Sequence, residues 1–158
     1  EKQPIKMLEL FAKIRKINKD FKLLIVGTGA LQGKIQDKIA ELDISDAVQR
    51  IDSLPNEHIW ETYRLADVFV NLNKQEIFGM AILEAMFYEC RVVAWKAPGP
   101  NFIIQNGISG NLVENDDDVI DKILHSNISG YRAHERVITN FVWDNMANVI
   151  YRRLYNEQ

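Results

Sequence analysis

The sequence predicts an α/β protein, a Rossmann-like parallel sheet flanked by helices, and three observations carry that reading. Short β-rich runs alternate with helical periodicities through the middle of the chain, the pattern that builds a parallel sheet wrapped on both faces. Leu23-Leu-Ile-Val-Gly27 is apolar throughout and bounded by glycine, as a strand buried on both faces is. No repeat, low-complexity tract or linker divides the 158 residues, so residues 1–158 read as one domain.

The elements follow in order. Met7, Leu10, Phe11, Ile14 and Ile17 recur with helical spacing and open the chain on an amphipathic helix. The strand at 22–27 comes next, and Leu31, Ile35, Ile39 and Leu42 mark a second helix. Val48 to Ile51 is a short strand, after which Asn56 reads as the cap of a helix carrying Ile59, Trp60, Tyr63 and Leu65. Asp67-Val-Phe-Val-Asn71 is a strand, followed by a loop, a helix over roughly 80–88 and a strand at Arg91-Val-Val-Ala-Trp95. Beyond Ala97-Pro-Gly-Pro100 the pattern predicts a short helix, a turn at Asn106-Gly107 and a small strand near Leu112-Val113. The remainder from Asp116 reads as helical, with a last helix over 142–158. Sheets of this kind place ligands outside the carboxyl ends of their strands. Gly27, Asp52, Asn71 to Glu76 and Ala97 to Asn101 all follow strand ends.

Composition removes some classes of function. Hydrophobic residues are 47% and charged residues 26%, ordinary for a soluble globular domain. A formal net charge of −3 supplies no global field for nucleic acid. Lys13, Arg15, Lys16, Lys19 and Lys22 crowd the first helix and its exit. They read as a solvated face or, more sharply, as attraction to an anionic membrane surface. The lone Cys90 excludes an internal disulfide framework and fits a reducing, cytoplasmic setting. Its apolar neighbourhood marks a structural thiol. The sequence shows no signal peptide or membrane-spanning run. His58, His125 and His134 lack ligand spacing, so no metal is expected.

The stretch Glu76-Ile-Phe-Gly-Met-Ala-Ile-Leu-Glu-Ala-Met86 carries the chemistry. If its helix begins near Gly79, the first N–H groups, from about Phe78 through Ala81, have no intrahelical acceptor. The helix dipole adds partial positive charge there, worth about 0.3–1 kcal/mol to a nearby anion. Phosphate oxygens or sugar hydroxyls suit such donors, and Gly79 lets a ligand approach the backbone closely. Glu76, in the loop, can accept from sugar hydroxyls. Glu84, about a turn and a half into the helix, can accept from a ribose diol. The plain alternative makes Glu76 an acid stabilising the helix dipole, and Glu84 a solvated or salt-bridged helix residue.

Five segments in order resemble the C-terminal, donor-binding domain of a family 4 (group 1) retaining glycosyltransferase of GT-B architecture. They are Leu23-Leu-Ile-Val-Gly-Thr-Gly29, Ala66-Asp-Val-Phe-Val70, the Glu76-x-Phe-Gly79 motif with Glu84-Ala-Met86, Asn106-Gly107-x-x-Gly110-x-Leu-Val113, and Phe141-x-Trp143-Asp. The resemblance runs nearly end to end. It implies a domain that binds a nucleoside-diphosphate sugar as substrate, without a cofactor or metal, for transfer with retention. Glu76 then takes the donor sugar's hydroxyls and Glu84 the ribose. The amides around Phe78, Gly79, Met80 and Ala81 hold sugar and phosphate. Gly27 lies at the site's edge, and Arg50 with Ile51 faces the base, unless Arg50 is an ordinary surface arginine. Glu1-Lys2-Gln3 is similar to the tail of the family's diphosphate-binding segment. Lys2 is then the phosphate lysine, or else an unpaired terminal lysine, and the family's first strand precedes it. The resemblance also implies an N-terminal acceptor domain missing from this chain, to which the helix over 142–158 returns in relatives. The isolated chain is then expected to be inactive. Cell-surface polysaccharide or glycolipid synthesis, at the inner face of the membrane, is the expected setting.

Departures stand at Ile77, Asn73, Phe102 and the Phe87-Tyr88-Glu89-Cys90-Arg91 segment, where Phe102 replaces an acid and Glu89 with Arg91 suggests a local pair. Two rival readings remain. Gly27-x-Gly29-x-x-x-Gly33, with Asp52 ending the next strand, suggests an NAD-type dinucleotide module, although the glycine spacing misses that fingerprint by one residue. The departures also leave room for a non-catalytic domain serving as a partner subunit.

Overall fold

The computed structural model describes residues 2–55 and 58–142. Helix α1 (Pro4–Ile17) starts on a proline, whose fixed φ and missing N–H suit the first turn, and buries Leu8, Leu10, Phe11 and Ile14. Ile17 belongs to the same stripe by spacing but is 65% exposed, because the helix ends there. Strand β1 (Leu23–Val26) pairs in parallel with β2 (Val48–Ile51) across helix α2 (Gln32–Glu41), in register from Leu23 opposite Val48 to Val26 opposite Ile51. Helix α3 (Ile59–Leu65) follows, with His58 at its N-cap position and no side-chain cap. The expected cap, Asn56, lies outside the described residues.

A second sheet holds β3 (Val68–Asn71), β4 (Arg91–Trp95) and β5 (Asn111–Val113), with β4 in the middle and all strands parallel. Helix α4 (Met80–Phe87) connects β3 to β4, and α5 (Pro98–Ile103) lies between β4 and β5. Helices α6 (Asp116–His125) and α7 (Gly130–Asn140) complete the described chain. The expected parallel α/β architecture is present, with its described strands in two sheets, since none of them pairs β1 or β2 with β3, β4 or β5.

The alternation of β4 divides the core. Val93 and Trp95 face a cluster with Leu10, Ile14, Leu72, Val113, Val119 and Ile123. Val92 and Ala94 face another with Tyr63, Ile82, Met86, Ile103, Ala133 and Val137. Successive side chains of a strand point to opposite faces, so a strand covered on both sides is apolar throughout. Leu8 and Phe11, on the same helix as Leu10 and Ile14, pack with Ile35, Ile39, Ile44 and Ala47 beneath β1 and β2. Helix α1 therefore lies across both sheets.

Two helices differ from the sequence expectation. Helix α5 contains Pro98, Gly99 and Pro100 rather than starting after them. Prolines in a first helical turn forfeit no hydrogen bond, since those N–H groups have no acceptor in the helix. The C-terminal region breaks at residues 126–129, where Ser129 caps α7 by accepting from the Tyr131 amide. The helix expected over 142–158 lies outside the described residues from 143 onward.

Candidate functional site

The loop after β3 is built from two consecutive side-chain turns. The Asn71 side-chain oxygen accepts from the Asn73 amide at 2.8 Å, and that of Asn73 accepts from the Gln75 amide at 3.0 Å. Asparagine favours such turns because its side chain mimics the next peptide unit. The two side-chain amides converge on one acceptor: Asn71 Nδ2 and Asn73 Nδ2 each lie 3.3 Å from Glu76 Oε2. The carboxylate of Glu76 is half-buried and held by neutral donors. Its backbone is fixed too, since the Gly99 amide of α5 donates to the Glu76 carbonyl at 2.9 Å.

Gly79 turns the loop into α4. Its φ of +96° is a conformation glycine adopts without a Cβ penalty. The Gly79 carbonyl accepts from the amides of Ile82 at 2.9 Å and Leu83 at 3.2 Å. No side chain caps the start of α4. The amides of Met80 and Ala81 therefore stand at a positive helix end with no acceptor four residues back. Phe78 and Met80, 46% and 58% exposed, frame this end with apolar surface.

Glu84 lies one turn deeper, about 7.5 Å along the axis from Gly79 at the usual helical rise. Its Oε2 accepts from the Tyr63 hydroxyl at 2.9 Å. Burial first, and then Glu84, push the Tyr63 phenol above the ordinary tyrosine range, so it stays a donor. Among the described residues no basic side chain forms a salt bridge with Glu84.

Gly27 and Arg50 stand together on the other sheet. Gly27 ends β1 with φ +122° and donates to the Ile51 carbonyl at 2.9 Å. Arg50 sits opposite Ile25, its guanidinium 3.4 Å from Gln36 Oε1 and 3.9 Å from Asp52 Oδ1. Lys2 is exposed, one residue before Gln3, whose side-chain amide donates to the Leu72 carbonyl at 3.1 Å. That bond anchors the start of α1 at the carboxyl end of β3. The structure thus gathers Glu76, Phe78, Gly79, Met80, Ala81 and Glu84 on one loop and helix. Gly27 and Arg50 lie toward the carboxyl end of β1 and β2, in the other sheet.

A model of the family described as "Glycosyl transferases group 1" matches residues 1–140. The chain belongs to that family. It is 31% identical over 145 residues to an N-acetyl-alpha-D-glucosaminyl L-malate synthase of Bacillus anthracis, covering 85% of this chain and 37% of that protein. To an alpha-monoglucosyldiacylglycerol synthase of Streptococcus pneumoniae it is 23% identical over 155 residues, 98% of this chain and 35% of the relative. The chain therefore spans little more than a third of these two curated relatives. The C-terminal domain of the group 1 glycosyltransferase LpcC from Francisella tularensis superposes with TM-score 0.79 at 23% identity, covering 90% of this chain and 80% of that one. Anabaena HepE in complex with UDP-glucose matches with TM-score 0.76 at 18% identity, covering 94% of this chain and 44% of its own. These likenesses establish the fold as the C-terminal half of GT-B.

In this glycosyltransferase domain several sequence expectations change. Glu89 and Arg91 do not pair: Arg91 donates to the Ser126 carbonyl at 2.6 Å and the Asp67 carbonyl at 3.3 Å, while Glu89 is exposed at φ +61°. Phe102 is 64% exposed and meets Phe141 edge-on at 5.6 Å. A Cβ on Gly29 or Gly33 would touch nothing within 4 Å. Gly33 then does not serve the close helix–strand packing that the last glycine of a dinucleotide fingerprint provides. Cys90 is buried and its thiol is pushed up to about 12 by burial and then Asp67, as a structural thiol. Asn71 and Tyr63 are site neighbours that sequence spacing assigned only to a strand end and an apolar stripe. The exposed Lys74 was not singled out at all; its ammonium lies 4.1 Å from the Trp95 ring centre at the carboxyl end of β4.

Proposed function

We propose that this domain binds a nucleoside-diphosphate sugar as the donor half of a retaining glycosyltransferase. The observation that carries the reading is the pairing of a half-buried, doubly braced Glu76 with the uncapped start of α4. Glu76 orients the sugar through its hydroxyls. The amides of Phe78, Gly79, Met80 and Ala81 receive sugar and phosphate oxygens, and stabilise the departing diphosphate where charge develops in the transition state. Glu84 takes the ribose, Gly27 and Arg50 line the base end, and Lys2 adds positive charge to the diphosphate. HepE, of the same fold, is known in complex with UDP-glucose, which supports a nucleotide sugar as the ligand.

On this reading the acceptor comes from an N-terminal domain. A strand preceding Lys2 fills the gap between β1 and β3, because α1 starts at the carboxyl end of β3 and leads into the start of β1. The chain alone then binds donor weakly and transfers nothing. A cell-surface glycolipid or polysaccharide is the product class, in line with the diacylglycerol-modifying relative.

Titration with UDP, GDP and ADP and their glucose conjugates, followed by ligand-observed NMR, tests the reading. One nucleotide is expected to bind, with its sugar conjugate tighter. Glu76→Gln should abolish the sugar's increment, a loss of about tenfold for a hydrogen bond to a charged acceptor. Binding of none of these nucleotides, or a Glu76→Gln variant with an unchanged sugar increment, would refute it.

A further inference from the structure

We infer that Tyr63 is a positioning residue for nucleotide recognition, its hydroxyl fixing Glu84 with one carboxylate oxygen committed and the other left for a ribose hydroxyl. The inference rests on the reading above, in which Glu84 takes the ribose.

The geometry is one-sided. A phenol has a single proton to donate, and at 2.9 Å it goes to Oε2 of Glu84. The tyrosine cannot follow a moving carboxylate. It is 9% exposed, its ring stacks on Tyr88 at 6.4 Å and 7°, and Phe69 meets it edge-on at 5.8 Å. A glutamate on a helix surface otherwise samples many rotamers, and a ligand that orders it offsets its own binding energy. Here the ordering is done before the nucleotide arrives.

The chemistry of the brace also matters. A lysine or arginine in the same place would orient Glu84 but spend its charge on the pair. Among the described residues no such salt bridge exists, and the donor is neutral. No neighbouring cation in an ion pair then competes for the free oxygen, and hydrogen bonds to charged groups exceed those between neutral ones. The ring alone would satisfy the core: phenylalanine fills the same space between Tyr88, Phe69 and Ile82. What the hydroxyl adds is the bond to Glu84.

The test uses the full-length protein and whichever of UDP, GDP and ADP it binds most tightly, with the 2′,3′-dideoxy form of that nucleotide as the second probe. Tyr63→Phe should weaken the ribonucleotide about three- to tenfold, the range for one net hydrogen bond, and leave the dideoxy form unchanged. In a Glu84→Ala background, Tyr63→Phe should have no further effect on either probe. Equal weakening of both probes by Tyr63→Phe would assign the tyrosine to packing alone and overturn the inference. So would full ribonucleotide affinity in Tyr63→Phe when Glu84→Ala has lost it. If Glu84→Ala itself leaves the ribose preference intact, the ribose role of Glu84 falls, and the inference falls with it for that separate reason.

Discussion

A Cβ on Gly99 would lie 2.3 Å from the Phe78 carbonyl oxygen and 2.7 Å from the Phe78 nitrogen, so the first turn of α5 touches the motif loop backbone to backbone. Gly99→Ala must push the two apart, also stretching the bond from the Gly99 amide to Glu76. We expect it to cost about 1–3 kcal/mol in thermal or urea unfolding, as overpacking does, and to weaken nucleotide-sugar binding together with stability. Unchanged unfolding would show that the loop yields freely. Cys90 gives a pH prediction. Its folded thiol holds its proton up to about 12, against 9.0 for the free group, because burial and then Asp67 disfavour the thiolate. The unfolded chain loses that proton first, so the stabilisation is complete below pH 9 and is lost as pH rises through about 12. Cys90→Ala should flatten this alkaline decline, read as unfolding free energy against pH. Tyr63, raised by burial first and then Glu84, acts in the same direction above its ordinary 10.0. At this scale the two glutamates were legible because their spacing about Phe78-Gly79 is local. Tyr63 was not, since its contact with Glu84 joins residues 21 apart and depends on how α3 packs on α4.

Among the helices, α6 and α7 are closed by side-chain caps and the others, α4 included, are not. Helix α6 is capped by the Asn115 side chain accepting from the Asp118 amide at 2.9 Å, with three aspartates in its first turn and Lys122 and His125 in its last. Helix α7 has Ser129 in the same role. Asn115→Ala and Ser129→Ala should each lower stability by about 1 kcal/mol in urea unfolding without altering nucleotide binding. A larger effect on binding than on stability would contradict that division. Helix α4 has Gly79 at its start and no side-chain acceptor, and what sets it apart from the other uncapped helices is the half-buried, braced Glu76 beside it. Strand positions follow from the sequence nearly residue by residue, because short β-rich runs mark them, but the burial expected of β1 does not hold: Leu24 is 37% exposed and no β1 residue is fully buried. The start of α5 was misplaced because prolines read as breakers, whereas a first helical turn tolerates them.

For the molecule as a whole, the parallel α/β architecture expected from the sequence is present, and its described strands fall into two sheets. Local patterning marks strands; it does not say which neighbours they find, and among the described residues β1 and β3 do not pair. An unpaired strand edge exposes a row of amides. In a longer form carrying the preceding strand, amide exchange along β1 and β3 should slow relative to this chain; equal rates would argue against a strand in the gap. No helix among the described residues is long and apolar enough to cross a membrane. Helix α1, pinned to one sheet by Leu10 and Ile14 and to the other by Leu8 and Phe11, has a mechanical consequence. It acts as a gauge block: the girth of its side chains sets how the two sheets sit against each other. Trimming Leu8, far from Glu76 and Glu84 in sequence and wholly buried, would shift one sheet against the other and, on the proposed reading, detune the fit of a ligand it never meets.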